Sequence, residues 1–134
     1  MLRNTLGASE RLKREKDLDA LFRTGKAHSA FPVRAVFRLT DRRPDESIPV
    51  RVAVSAPKKK FKRAHDRNRV KRLLREAWRT QKTAVYSAVP DGTQLHLMVL
   101  FSGKELPHFA QVQAAIAKLV PVLVRFVAEQ QAQN

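Results

Sequence analysis

The chain contains no cysteine, so neither a disulfide framework nor a thiolate metal site can form, and the redox compartment is left open. Acidic residues are scarce. Twelve Asp and Glu stand against 27 Lys and Arg, leaving a formal charge of +15 on 134 residues, and a polyanion is the default partner of such a chain. Aromatic residues make up only 7%, yet the hydrophobic content of 43% is too high for a disordered basic tail. The four histidines, His28, His65, His96 and His108, are scattered without ligand spacing, so no metal site is expected. No apolar run approaches the ~20 residues of a membrane span. Arg3, Glu10 and Arg11 interrupt the N-terminus where a signal peptide needs an apolar stretch, and a cytoplasmic location away from membranes is expected. These limits describe one compact basic domain over 1–134, with flexible ends at 1–10 and 129–134.

Helical and strand periods alternate along the chain. Leu18, Leu21 and Phe22 fall at i, i+3 and i+4, and Gly25 follows as a left-handed stop, which predicts a first helix near 14–24. Phe31, Val33, Ala35, Phe37 and Leu39 occupy the odd positions of a period-2 strand, and Val50, Val52, Val54 and Ala56 alternate in the next. The turn-rich stretch DRRPDESIP, Asp41 to Pro49, joins them as two antiparallel strands. The nearly continuous apolar run QLHLMVLF, Gln94 to Phe101, suits a central strand. Phe109, Val112, Ile116, Leu119, Leu123 and Val127 keep helical spacing to the C-terminus, with a kink or break expected at Pro121.

The densest charge lies on a helix. In AHDRNRVKRLLREAW, Ala64 to Trp78, the residues Val70, Leu73, Leu74, Ala77 and Trp78 share one face, within about 80° of Val70 at 100° per residue. Asn68, Arg72, Arg75 and Arg79 gather opposite, and Glu76 is placed to tether Arg72. Upstream, PKKKFKR adds five cations between Pro57 and Arg63. An ordinary solvated helix face mixes Glu with Lys, because like charges at i,i+4 repel and cations near an N-terminus oppose the helix dipole. This helix accepts both costs. Arginine predominates in it, and its planar fork fits two phosphate oxygens at once, so a phosphate backbone is the favoured ligand. A helix-turn-helix would need a second helix before the reading helix; here a strand and a lysine loop precede it, which favours folded RNA over DNA.

The stretch KRAHDRNRVKRLLREAWR, Lys62 to Arg79, resembles the signature of the protein subunit of bacterial ribonuclease P, an Arg-Asn-Arg followed by an apolar residue, Lys-Arg and a further Arg. RLKREKDLDALFRTGK is similar to that family's first helix and glycine stop, and VRVAVSAPKKK to its strand before the motif; the C-terminal third matches mainly in pattern. The resemblance implies an α+β fold, a small αβββαβα sandwich of a four-stranded mixed sheet with helices and a left-handed βαβ crossover, like the second domain of a small-subunit ribosomal protein. Its additional short strand falls near 26–30, where the residue pattern alone reads as loop. General chain statistics favour the right-handed crossover, so handedness comes from the resemblance only.

The resemblance also implies a role: the protein component of a ribonucleoprotein endoribonuclease that removes the 5′ leader of precursor tRNA. Catalysis there belongs to an RNA subunit with Mg²⁺; the protein binds no cofactor, takes no small-molecule substrate and supplies no catalytic residue. Carried over by position, Arg67, Asn68, Arg69, Lys71, Arg72, Arg75 and Arg79 become contacts to the catalytic RNA. Phe22, Phe31, Phe37, Lys58, Lys59 and Lys60 become leader contacts, with the strand aromatics Phe31 and Phe37 open to a core role instead. Leu18 stands where the family commonly has a second phenylalanine, and Pro57 and Phe61 depart from the commoner sequence at the helix entry. Two other classes fit parts of the pattern. A basic ribosomal or RNA-chaperone protein shares the charge and fold, and a protein-only nuclease would need a carboxylate cluster that the chain lacks.

Overall fold

The computed structural model describes residues 6–132. Its helices are α1 (Glu15–Thr24), α2 (Ala64–Arg79), α3 (Thr83–Ala88) and α4 (Phe109–Ala132), and its strands β1 (Lys26–Ala30), β2 (Val33–Asp41), β3 (Val50–Ser55) and β4 (Thr93–Phe101). One four-stranded mixed sheet in the order β1-β2-β4-β3 forms the α+β domain. β2 is antiparallel to β1 and β4, whereas β3 is parallel to β4. Although their short connection suggests a hairpin, β2 and β3 are not neighbours; β4 lies between them. A parallel pair needs a long crossover, and α2 and α3 provide it.

Period-2 alternation gives the sheet two different faces. Val33, Ala35 and Phe37 of β2, Val50 and Val52 of β3, and Leu95, Leu97, Val99 and Phe101 of β4 join buried residues of α2, α3 and α4 in the main core. On the other face Val36 and Met98 pack with Leu12 and Leu21 under α1. Among the described residues α1 is the one helix that covers this side, which leaves room for grooves. Helix α1 ends at Gly25, whose φ of −75° is not left-handed. Glycine is required there for space: a Cβ would stand 2.4 Å from the Leu21 carbonyl oxygen and 3.0 Å from that of Phe37.

Three elements depart from the sequence pattern. β1 pairs with β2 from Lys26↔Phe37 to Ala30↔Val33, but KAHSA is an edge strand with four of five residues exposed, so no apolar alternation announces it. Phe31 belongs to the turn between these strands, not to β2, and its bond to Pro32 is cis. α4 is unbroken across Pro121, which faces solvent, while Val112, Ile116, Leu119, Leu123 and Val127 hold the helix against the core. By length and hydropathy Phe109–Gln130 could cross a membrane, contrary to the expectation above, but its apolar stripe is spent on the sheet.

The N-terminal segment is tied down further out than composition suggests. Ala8–Glu10 form a 3-10 turn, and Glu10 accepts hydrogen bonds from Lys82 Nζ at 2.6 Å, Tyr86 Oη at 2.5 Å and the Gly7 N–H at 2.7 Å. Burial raises the affinity of this carboxyl for a proton, but the bonds from Lys82, Tyr86 and Gly7 outweigh it and hold Glu10 below the ordinary carboxylate range. Leu12 then donates to the Val52 carbonyl at 2.9 Å, so the segment lies along the open edge of β3. The loose ends expected at 1–10 and 129–134 fall partly outside the described residues; of the rest, Glu10 is buried and α4 continues to Ala132.

Candidate nucleic-acid interface

Helix α2 buries Val70, Leu74, Ala77 and Trp78 and turns Asn68, Arg69 and Arg72 to solvent. No side chain caps its N-terminus, where Arg63 stands at the N-cap and Asp66 is the one acidic residue of the first turn. Unsatisfied N–H groups, the positive end of the helix dipole and surrounding cations make this end a site for anions. The other motif residues are less free. Arg67, about 60° from Val70, is half-buried and donates through Nη1 to the carbonyls of Phe61 at 2.8 Å and Lys62 at 2.9 Å, pinning the turn that leads into the helix. Glu76 tethers Arg79, at 3.0 Å from Nε, rather than the predicted Arg72, lowering the proton affinity of the carboxyl and raising that of the guanidinium. Lys71 is half-buried on the flank. Arg75 lines a shallow pocket with Arg11, Ala53 and Val54 beside β3, where burial and then the Arg11 charge lower its pKa.

The lysine turn stands at the same end of the sheet. Phe61 is buried and meets Phe101 at 5.7 Å between centroids, which explains an aromatic at this position: it anchors the turn. Lys58, Lys59 and Lys60 remain exposed, and Lys60 Nζ donates to the Ser102 carbonyl at 2.7 Å. Ser102 in turn donates to the Pro32 carbonyl at 2.8 Å, so Phe31, 78% exposed, stands close to the lysines.

Under α1 a pocket of about 190 Å³ is lined by Phe22, Gly25, Ala27, Arg34, Val36 and Leu100. Phe22 is 55% exposed, although it belongs to the apolar stripe of its helix, and Leu18 is half-buried in the packing under α1. Phe37 does not join them. It is 3% exposed on the opposite face of the sheet, edge-on to Phe126, so its assignment as a leader contact is corrected to core. Arg34, exposed beside Phe22, escaped the sequence reading; its even position in β2, out of phase with the buried odd ones, was the available signal. Among the described residues no group of three or more His, Asp or Glu converges as a metal site.

The family described as Ribonuclease P matches residues 6–123. The ribonuclease P protein component of Porphyromonas gingivalis is 38% identical over 116 residues, covering 84% of this chain and 82% of that protein. That of Chlorobium phaeobacteroides is 30% identical over 126 residues, 87% of this chain and 86% of the relative. Among solved structures, the Staphylococcus aureus RNase P protein superposes with a TM-score of 0.64 at 18% identity over 84% of this chain and 94% of its own. The RNase P protein from Thermotoga maritima gives 0.62 at 24% identity over 83% and 94%. At these identities the structures speak for the fold, and the sequence matches for kinship.

Proposed function

The chain belongs to the ribonuclease P protein family, a tRNA-processing family, and from that premise we propose that it binds the catalytic RNA of ribonuclease P through α2 and receives the 5′ leader of precursor tRNA in the groove under α1. The particle then cleaves the phosphodiester that joins leader to mature 5′ end. The hydrolytic chemistry belongs to the RNA and the Mg²⁺ it binds, and the chain contributes position and charge in the cytoplasm. The exposed Asn68, Arg69 and Arg72 and the uncapped end of α2 suit a folded phosphate backbone, and the exposed Lys58–Lys60 turn suits the phosphates of the leader. Phe22 beside Arg34 suits an unpaired base with its phosphate: the ring offers a stacking face and the guanidinium an ionic partner.

One observation carries the division of labour. A helix normally hides the aromatic of its apolar stripe, and Phe22 is instead left open in a groove that Arg34 also lines. Purifying the protein without nuclease and sequencing the RNA that remains tests the reading. One discrete RNA that, recombined with the protein and Mg²⁺, removes leaders from precursor tRNA is expected. A spectrum of ribosomal fragments without that activity would favour a general RNA-binding role.

A further inference from the structure

A second pocket, of about 540 Å³, opens where the turn between β1 and β2 meets the loop between β4 and α4, and Phe31, Pro32, Phe101, Gly103, Leu106 and Pro107 line it. Its floor is firm. Phe101, Gly103 and Pro107 are buried, and the Ser102 N–H donates to the Pro32 carbonyl at 2.8 Å. A Cβ on Gly103 would stand 2.6 Å from the Phe101 ring and 3.4 Å from Pro32, so only glycine lets the loop lie this close. The mouth is apolar and open. Phe31 is 78% exposed and Leu106 41%, two of the three large hydrophobic side chains that the described residues leave to solvent, the third being Phe22. Single exposures of this kind are ordinary, but two on one preformed pocket mark an interaction site.

We infer that this pocket stacks a second unpaired base of the precursor tRNA leader, a few nucleotides from the one held at Phe22. The inference rests on the leader-binding reading above and adds a subsite to it. Charge selects the occupant. Lys104 lines the pocket, Lys60 Nζ is fixed on the Ser102 carbonyl at its edge, 2.7 Å away, and Lys58 and Lys59 stand exposed in the same turn, against the one carboxylate of Glu105. A ring face beside lysines fits a base with its phosphates, whereas a second copy of this chain would bring another +15 to the same surface. Continuity selects the leader. Leu100 lines the Phe22 pocket and Phe101 this one, from opposite faces of β4, and Arg34, which pairs with Leu100, is three residues from Phe31, at most about 10 Å of chain. About three stacked nucleotides cover that distance at ~3.4 Å each. A strand held at Phe22 therefore rounds the end of the sheet past Arg34 and the lysine turn and reaches Phe31. Stacking tolerates any base, so this subsite reads the length of the leader and not its sequence.

The test uses the particle assembled from the full chain and its RNA, with precursor tRNAs whose leaders lengthen one nucleotide at a time. Affinity should rise in two steps, one for each subsite. Phe31→Ala should remove one step, a loss on the order of tenfold for long leaders, while Phe22→Ala removes the other and mature tRNA binds both variants as it binds the wild type. Phe31→Trp should keep the step and Phe31→Leu should lose it, because only the former offers a face to a base. Leu106→Glu sets a carboxylate in the mouth of the pocket; it should also remove the step, and it decides the matter if the Phe31 variants do not fold. Both steps intact in folded Phe31→Ala and Leu106→Glu particles overturns the inference, and sedimentation of those particles then shows whether the pocket joins two copies instead. A step that survives in Phe31→Leu overturns stacking in favour of a general apolar contact. Equal losses for mature tRNA and every precursor overturn it too, and assign the pocket to another RNA segment. A single step, lost in Phe22→Ala and kept in Phe31→Ala, overturns this subsite alone. Equal affinity of the wild type for mature tRNA and for precursors of every leader length overturns the function proposed above and this subsite with it.

Discussion

The Phe37 ring meets Phe126 edge-on at 4.9 Å between centroids, on the face of the sheet that Phe22 does not see. Three aromatics that sequence offers as equivalent leader contacts thus separate into one core residue, one turn residue and one groove residue. Phe37→Ala should cost about 3–5 kcal/mol of stability, as deletion of a buried ring does, whereas Phe22→Ala should stay within about 1 kcal/mol of wild type. Denaturant unfolding of the two variants checks the pair, and equal losses would contradict the assignment.

The arginines of α2 should also divide. Arg69→Ala with Arg72→Ala removes two exposed cations, and RNA affinity should fall by about 1 kcal/mol for each with the melting temperature unchanged. Arg67→Ala should lower both, because its guanidinium also holds the Phe61 and Lys62 carbonyls. A purely electrostatic Arg67 would leave melting untouched.

With a net charge of +15, affinity for the RNA should decline linearly on a log–log plot of binding constant against salt. Replacing Lys58 and Lys59, both exposed, should make that line shallower; an unchanged slope would place the lysine turn outside the interface.

Glu10 predicts an acid response. Its folded pKa lies below the ordinary 4.5, so its contribution to stability is complete above that value and is lost as pH falls through the lower folded value. Glu10→Gln should cost about 3 kcal/mol at neutral pH, by disrupting a buried pair with Lys82, and should flatten the fall in melting temperature below pH ~4.5. A variant with the wild-type acid profile would show that the carboxylate is not the group responsible.

Much of this was legible in the residues. The 3.6-residue stripe from Val70 to Trp78 gave α2, and the apolar run from Leu95 to Phe101 gave a strand buried on both faces in the middle of the sheet. What escaped was set by tertiary contact. β1 is polar because it is an exposed edge, and α3 is six residues long, too short for a period to show. Gly25 was chosen for the space beside Leu21 and not for a left-handed turn, a distinction that only packing reveals. For the interface, charge and spacing located α2 but could not sort its arginines, since the bonds of Arg67 run to carbonyls before the helix and those of Arg79 to Glu76. Nor could alternation separate Phe31 from Phe37, because the strand that seems to hold both begins at Val33.

The most direct measurement is the affinity of the assembled particle for precursor and for mature tRNA, with wild-type chain and with Phe22→Ala. Precursor binding should weaken by roughly 1–3 kcal/mol in the variant, the usual worth of a base stacked on an aromatic ring, while mature tRNA, which has no leader, should bind as before. An unchanged preference for precursor over mature tRNA in a normally folded Phe22→Ala particle would contradict a leader held in the groove under α1.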